Sequence, residues 1–375
     1  MTESHLKLGS TLAIQKPVFD QLLGTLQSQG YETIGPRIRG ATLNYETLDG
    51  LKDLPQGYTS EQNGGHYRLK QEDHDRFFDI TPGGHTWKQF LYPPHSELFQ
   101  LRQQNGQWEA IYPGDAPPRY AFIGARACEL AAIAVQDRVF LRDDFTDPIY
   151  EARRKNLFIL AATCLHPGDT CFCVSMGTGP EAQAGFDLKL TELEEVFLIE
   201  IGSQAGRQLM QAVDWEPASA HWVQSAQQGI EAASASMGRT LPDVGQVPAL
   251  LMHNLNHEQW HTVAQRCTSC TSCTQVCPTC FCWDVEDQTA LDGRSTARHR
   301  VWDSCFNLAY SSQAGGNTRP STHARYRQWL THKLATWPEQ FDVLGCVGCG
   351  RCITWCPSGI DLTEEIKVMR EATSP

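Results

Sequence analysis

Two cysteine runs near the C-terminus of the chain have the same spacing, Cys-x2-Cys-x2-Cys-x3-Cys-Pro. Their cysteines are Cys267, Cys270, Cys273 and Cys277, followed by Cys346, Cys349, Cys352 and Cys356. This is the spacing of the two-cluster bacterial ferredoxins, in which the fourth cysteine of each run ligates the cluster that the other run holds. The pattern therefore predicts two [4Fe–4S] clusters and the transfer of single electrons.

The exchange of fourth ligands defines two expected ligand sets. Cluster 1 is expected to be bound by Cys267, Cys270, Cys273 and Cys356, and cluster 2 by Cys346, Cys349, Cys352 and Cys277. A structural zinc site typically uses two separate pairs of ligands and needs no third cysteine at the same interval. The chain has fifteen cysteines, an odd number that fits a disulfide framework poorly. Zinc and disulfides are therefore weak alternatives for these eight residues.

Composition narrows the class of protein. A chain of 375 residues suggests about two domains, and a net charge of −12 argues against nucleic acid as a partner. The first fifteen residues have no apolar segment typical of a secretory signal, and no apolar run reaches the ~18 residues that a bilayer-spanning helix needs. We therefore expect a cytoplasmic protein with reduced cysteines and no membrane partner.

Seven cysteines lie outside the two runs, and four of them are in the N-terminal half: Cys128, Cys164, Cys171 and Cys173. Cys128 and Cys164 each follow a predicted strand. Side chains just beyond the C-terminal strand ends line the functional crevice of an open α/β sheet, and the other two thiols come from the next loop. We expect the four to converge on a possible third cluster, with free thiols and zinc as alternatives.

The remaining three cysteines are Cys280, Cys282 and Cys305. One interpretation is a further cluster, completed for example by Asp284. A second is that some of them complete the N-terminal site, since Thr-Cys-Phe-Cys occurs at 170–173 and again at 279–282. A third is that they are structural thiols packed against the cluster domain.

One histidine motif suggests a function of another class. His257-Glu258-Gln-Trp-His261 matches the zinc metallopeptidase pattern H-E-x-x-H, and His253 adds a histidine at the same interval. On one helix all three would share a face, so a zinc hydrolase is a distant alternative to a polar helix face with Trp260 packed inward. The chain has neither a dinucleotide-binding glycine motif nor a Walker loop, which leaves open only a flavin site without a recognisable motif.

The N-terminal residues 1–245 are predicted to form an α/β domain with some parallel sheet. This prediction depends on alternating apolar strands and helical stretches, with strands expected at 120–124, 157–163 and 196–201 and a helix at 129–137. The strands must place Cys128 and Cys164 at neighbouring ends.

The C-terminal residues 246–375 are predicted to form a mainly α-helical ferredoxin-type domain. Helices are expected at 249–265, 323–334 and 361–372. Because 68 residues separate Cys277 from Cys346, a compact ferredoxin is disfavoured. Long helical material between the runs resembles the α-helical ferredoxin module of fumarate reductase iron–sulfur subunits.

Several sequence blocks carry a wider resemblance. They are Gly84-His-Thr-Trp87-Lys88, Gly124-Ala-Arg-Ala-Cys128-Glu-Leu, Ser175-Met-Gly-Thr-Gly-Pro180, Cys277-Pro-Thr-Cys-Phe-Cys-Trp-Asp284, Trp302-Asp-Ser-Cys305, His332-Lys333 and Cys346-Val-Gly-Cys-Gly-Arg-Cys352. Together they resemble the β subunit of cytoplasmic NAD(P)-linked nickel–iron hydrogenases of the sulfhydrogenase type. They are equally similar to the iron–sulfur subunit of anaerobic sulfite reductase that belongs to the same family.

The resemblance implies a non-catalytic electron-transfer subunit of a heteromeric complex. Its expected partners are the hydrogenase small and large subunits, or instead a sulfite-reducing subunit, together with a subunit that binds flavin and NAD(P). The first cysteine run departs from the expected pattern. Its segments Thr268-Ser269 and Thr271-Ser272 are small and polar, where a more hydrophobic or glycine-containing run is expected.

Overall fold

The computed structural model describes residues 6–114 and 117–373. Its strands are β1 Thr11–Gln15, β2 Glu32–Arg39, β3 Thr42–Thr47, β4 Tyr58–Asn63, β5 His66–Gln71, β6 His95–Gln104, β7 Gln107–Ile111, β8 Tyr120–Ala125, β9 Phe158–Ala162, β10 Leu188–Glu192, β11 Val196–Ile201, β12 Glu216–Pro217, β13 Trp283–Thr289, β14 Ser295–Trp302, β15 Ser312–Gln313 and β16 Gly316–Asn317. Its helices are α1 Phe19–Ser28, α2 Lys88–Leu91, α3 Ala127–Phe140, α4 Pro148–Lys155, α5 Gln204–Met210, α6 Ala220–Ala235, α7 Val247–His253, α8 Gln259–Arg266, α9 Ser272–Gln275, α10 Thr322–Thr331, α11 Trp337–Phe341, α12 Arg351–Thr354 and α13 Leu362–Thr373, with a π-helical turn at His332–Thr336.

An eight-stranded mixed sheet forms the centre of the N-terminal half. The strand order is β12-β1-β11-β10-β9-β8-β2-β3. Neighbours among β10, β9, β8 and β2 are parallel, and the outer pairs are antiparallel. The three strands and the helix that the sequence predicts in this half are present as β8, β9, β11 and α3.

The central strands are apolar throughout because both faces of the sheet are covered. On β8, Ala121 and Ile123 pack into one core with Leu22 of α1. The intervening Phe122 packs into a second core, together with Leu130 of α3. This alternation anchors α3 against the sheet and fixes the position of its first turn, which carries Cys128.

Helices of the C-terminal half enclose a separate apolar core. It contains Trp260 and Val263 of α8, Leu330 of α10 and Met369 of α13. Phe172, from the loop between β9 and β10, is buried in the same core. The loop that carries Cys171 and Cys173 is therefore anchored in the C-terminal half of the chain.

The description of the C-terminal part as mainly helical is not confirmed. Between the two cysteine runs lies a β-hairpin, β13–β14, in addition to α10 and α11. This hairpin extends β6 and β7 into a four-stranded sheet of order β13-β14-β6-β7. The two halves thus share a sheet, and the boundary at residue 245/246 stays a prediction.

The prediction of one continuous helix over 249–265 is wrong. The segment forms two helices, α7 and α8, which are separated by a turn at residues 254–258. Trp260 closes this turn, since its indole Nε1 donates to the carbonyl of Asn254 at 2.7 Å. Within residues 6–114 and 117–373, no helix is long and apolar enough to cross a membrane.

Candidate functional site

The first-run site brings together the four cysteines expected for cluster 1. They are Cys267, Cys270, Cys273 and Cys356, which line one cavity. Helix α8 ends directly before Cys267, and Cys273 lies in the short helix α9. The rest of the wall is largely apolar, including Phe306, Tyr326 and Trp329. Cys270 is the exposed member of the set, so this site lies near the protein surface.

The second-run site contains the four cysteines expected for cluster 2: Cys277, Cys346, Cys349 and Cys352. Burial, followed by the proximity of Cys346, Cys349 and Cys277, raises the pKa of the Cys352 thiol well above its usual value. Burial likewise raises the pKa of Cys346 to about 12. When one of these neighbouring thiols ionises, its negative charge disfavours ionisation of the others. The site therefore needs a nearby positive charge if all four cysteines are to be thiolates.

Lys333 and a metal group can both supply that charge. The buried Lys333 Nζ donates to Cys277 Sγ at 3.4 Å, to Thr279 Oγ1 at 2.9 Å and to the Gly345 carbonyl at 3.0 Å. Backbone amides add hydrogen bonds to sulfur, from Gly348 to Cys346 Sγ at 3.5 Å and, in the first-run site, from Ile360 to Cys356 Sγ at 3.4 Å.

The N-terminal site is formed by the other four cysteines predicted to converge: Cys128, Cys164, Cys171 and Cys173. All four line one cavity. Cys128 is in the first turn of α3, directly after β8, and Cys164 follows β9. Because β8 and β9 are parallel neighbours, their ends bring these two thiols together. Burial raises the pKa of all four thiols, to about 12 for Cys173.

Shared walls place the three sites in a row. Cys349 of the second-run site also lines the N-terminal cavity, and Cys352 also lines the first-run cavity. The second-run site is therefore the middle one. Among the described residues, no group of three or more His, Cys, Asp or Glu side chains is arranged for a single metal ion. A cubane places iron and sulfide between its thiolates, so its ligands need not meet at one point.

Both runs place two left-handed residues at equivalent positions between the cysteines. Ser269 and Thr271 have φ of +53° and +67°, and Gly348 and Gly350 have φ of +65° and +72°. A Cβ on Gly350 would lie 2.3 Å from the carbonyl oxygen of Thr170. The second run needs glycine because it packs against the loop of the N-terminal site, whereas the first run lacks this contact and accommodates polar residues.

Comparison with known proteins agrees with this geometry. The sequence profile of the 4Fe-4S dicluster domain matches residues 266–360. The chain is 31% identical over 335 residues to sulfhydrogenase 2 subunit beta of Pyrococcus furiosus, and the match covers 87% of this chain and 95% of that protein. The chain belongs to the family of sulfhydrogenase β subunits. It is thus an iron–sulfur protein related to hydrogenase subunits, and no solved structure matches it.

A buried ion pair, which the sequence analysis did not predict, joins the N-terminal and C-terminal halves of the chain. Arg351 of α12 pairs with Glu129 of α3, and both side chains are almost fully buried. Glu129 also accepts from Tyr45 OH at 2.8 Å and from Trp87 Nε1 at 3.0 Å. Arg351 lines the N-terminal cavity. The only feature of the sequence that could have indicated this ion pair is the position of its residues, because Glu129 follows Cys128 and Arg351 lies inside the second cysteine run.

The three leftover cysteines do not join the N-terminal site. The described residues that line that cavity include none of Cys280, Cys282 and Cys305. Cys280 contacts Cys277, whereas Cys282 contacts Cys305. Asp284, the example given for a residue that could complete a further cluster, is exposed on β13, where its carboxylate accepts from the adjacent Val285 amide at 2.8 Å.

The histidine motif does not form the helix face that a zinc hydrolase requires. His257 and Glu258 precede the first residue of α8, and only His261 lies within that helix. His257 Nδ1 accepts from the Gln259 amide at 3.0 Å. His261 instead stacks on His323, with ring centroids 4.1 Å apart. The expectation that the histidines share one helical face is therefore wrong, while Trp260 does pack inward.

Proposed function

We propose that the chain is an electron-transfer subunit with three [4Fe–4S] clusters. In this proposal the first-run site binds cluster 1, the second-run site cluster 2 and the N-terminal site cluster 3. The observation that carries it is the convergence of twelve cysteines, distant in sequence, into three sets of four with shared walls. When bound, each cluster accepts and releases one electron.

The residues around each site fit such a group. Thiolate ligands suit iron–sulfur clusters, and the amide and lysine hydrogen bonds to sulfur stabilise negative charge on a cluster. Apolar walls in the first-run cavity shield its inner thiols from water, whereas Cys270 is exposed. Arg351, whose charge is paired with Glu129, lies close enough to Cys349 to lower the pKa of that thiol.

The arrangement in a row supports a relay. Because Cys352 lines the first-run cavity and Cys349 lines the N-terminal cavity, a cluster in the second-run site would lie beside both of the others and would connect them. The exposed Cys270 makes the first-run site one surface terminus of the relay.

We further propose that the relay connects a flavin- and NAD(P)-binding subunit with a nickel–iron hydrogenase module. The name of the relative, a sulfhydrogenase subunit, favours a hydrogenase module over a sulfite-reducing subunit. The chain has no recognisable nucleotide-binding motif of its own, which favours a separate subunit for flavin and NAD(P). The reactions at both ends of the relay would then belong to other subunits.

Iron and acid-labile sulfide counting on anaerobically purified protein tests the number of clusters. We expect about twelve irons per chain, whereas the two ferredoxin-type clusters alone would give about eight. Cys171→Ser should remove the signal of one cluster from low-temperature electron paramagnetic resonance. Cys280→Ser is the matched control, because Cys280 belongs to none of the three sets. Equal iron contents in the two variants would contradict an N-terminal cluster.

Affinity purification from the organism that encodes the chain tests the partners. We expect flavin and nickel to copurify, and NAD(P)H to reduce the clusters only in the complex. A nickel-free complex that reduces sulfite would contradict the hydrogenase assignment and leave the relay itself intact.

A further inference from the structure

Cys282 and Cys305 form a thiol pair outside the three cluster sites. They flank the hairpin β13–β14 at the same end, because Trp283 pairs with Trp302 and the Asp303 amide donates to the Cys282 carbonyl at 2.9 Å. The two thiols are close enough to shift each other's pKa in opposite directions. A hairpin end thus holds two thiols in register for direct reaction.

The surroundings favour a nucleophilic thiolate on Cys282. The hydrogen bond from Cys305 is the largest influence, and with a hydrogen bond from Tyr310 it outweighs burial and lowers the pKa of Cys282 to about 6. Cys305 retains its proton, since its own pKa is raised by the same contact. A low-pKa thiol next to a resolving thiol is the arrangement of redox-active dithiols. Cys282 and Cys305 are both partly exposed, which gives small molecules access from solvent.

The pair lies between two of the cluster sites. On one side, Cys305 is close enough to Cys273 of the first-run site for electrostatic interaction. On the other, Cys282 interacts with Cys280, which contacts Cys277 of the second-run site. Reduction of a disulfide takes two electrons, and a [4Fe–4S] cluster supplies one. A thiol pair beside two cluster sites could therefore receive the two electrons that reduction of one disulfide requires.

We propose that Cys282 and Cys305 are a dithiol–disulfide couple that reduces small organic disulfides with electrons from clusters 1 and 2. This inference rests on the proposed function, because those clusters are its electron source. The nearest alternative is that both cysteines ligate a further cluster with Cys280, and the iron content of serine variants separates the two.

The chemistry balances in three steps. The Cys282 thiolate attacks one sulfur of R–S–S–R, which breaks that bond and releases the thiolate RS⁻. Cys305 then gives its proton to the released RS⁻, forming RSH, and attacks Cys282 Sγ, which forms the Cys282–Cys305 disulfide and releases the second RS⁻. Finally, two electrons, of which clusters 1 and 2 would each supply one, and one proton from solvent restore the Cys282 thiolate and the Cys305 thiol.

The test uses the full-length protein with its clusters, purified anaerobically, and bis(2-hydroxyethyl) disulfide as the probe. After exposure, acid quenching and alkylation, peptide mass mapping should find a Cys282–Cys305 disulfide that dithionite reverses. When dithionite-reduced protein is mixed with the probe, the visible absorption of the oxidised clusters should return. This return should be lost in Cys282→Ser and Cys305→Ser and kept in Asp284→Asn, a change at an exposed position of the same hairpin, with equal iron content in all three variants.

Alkylation of wild-type Cys282 by N-ethylmaleimide repeats the test without a substitution and should also abolish reoxidation by the probe. Loss of one cluster's iron from Cys282→Ser and Cys305→Ser would overturn the proposal in favour of ligation. Reoxidation that persists in those variants, or a wild-type map without the disulfide, would overturn it as well. Failure of the proposed function is distinct, since it would appear as missing iron in the wild-type protein before any probe is added.

Discussion

Substitution of Gly350 by alanine tests whether the second cysteine run is held against the N-terminal site by a glycine-only contact. The alanine Cβ would lie 2.3 Å from the Thr170 carbonyl oxygen and 2.6 Å from Thr170 Oγ1. Thr170 is fully buried and bonded to Thr354 Oγ1 at 2.6 Å, so it has little room to move. The left-handed backbone costs an L-residue roughly 1–2 kcal/mol and overpacking typically costs about 1–3 kcal/mol, so we expect a loss of roughly 2–5 kcal/mol.

Thr271→Ala is the matched control. Thr271 occupies the equivalent position of the first run with φ of +67°, and a side chain is already tolerated there. Anaerobic thermal unfolding, followed by circular dichroism, and iron per chain are the measurements. We expect Gly350→Ala to unfold at a lower temperature and to lose iron from the second-run and N-terminal sites. Thr271→Ala should resemble the wild type. Equal behaviour of the two variants would refute the packing argument.

Three further predictions concern the charged groups around the sites. Arg351→Met should cost about 3–5 kcal/mol in unfolding free energy, because it leaves Glu129 buried without its partner, and adding Glu129→Gln should restore part of that loss. His332, whose pKa burial and then Lys333 lower to about 4, stays neutral in the fold while the unfolded chain takes up a proton below pH ~6.5. Stability should therefore fall by about 3 kcal/mol between pH 6.5 and 4, a loss absent from His332→Phe in acid denaturation series. Lys333→Met removes a positive charge beside Cys277 and should lower the midpoint potential of cluster 2 in a redox titration, whereas Lys333→Arg should retain it.

Local periodicity was sufficient to predict three strands and one helix of the N-terminal half, whereas residues 1–115 were not assigned from it. The apolar run at 157–163 became a fully buried strand, β9, and the strand–helix step after Gly124 became β8 and α3. Such elements are specified by consecutive residues, so a single sequence is enough to predict them. The position of Cys164 beside Cys128 followed from the same rule, because parallel neighbours end at one edge of a sheet.

The hairpin between the cysteine runs was not predictable in this way. Strand β13 is exposed along its whole length and has no alternating apolar pattern, and it exists because β14 pairs with β6, almost 200 residues earlier in the chain. Likewise, the turn at residues 254–258 depends on a tertiary position of Trp260, whose indole bonds back to Asn254. The hairpin and the turn therefore both depend on tertiary packing, which overrides the local propensity of their residues.

The location of the hairpin also explains why Cys280, Cys282 and Cys305 resisted assignment from sequence. Spacing identifies ligands when consecutive residues reach one cluster, as in the two runs, but Cys282 and Cys305 meet only because a 20-residue hairpin closes between them. Cys280 interacts most strongly with Cys277, although Cys282 is still close enough to raise the pKa of Cys280. Because a cluster requires its thiolates around a common centre, whereas a dithiol couple requires only a pair in contact, this division into two pairs is the geometric reason to separate the hairpin thiols from the relay.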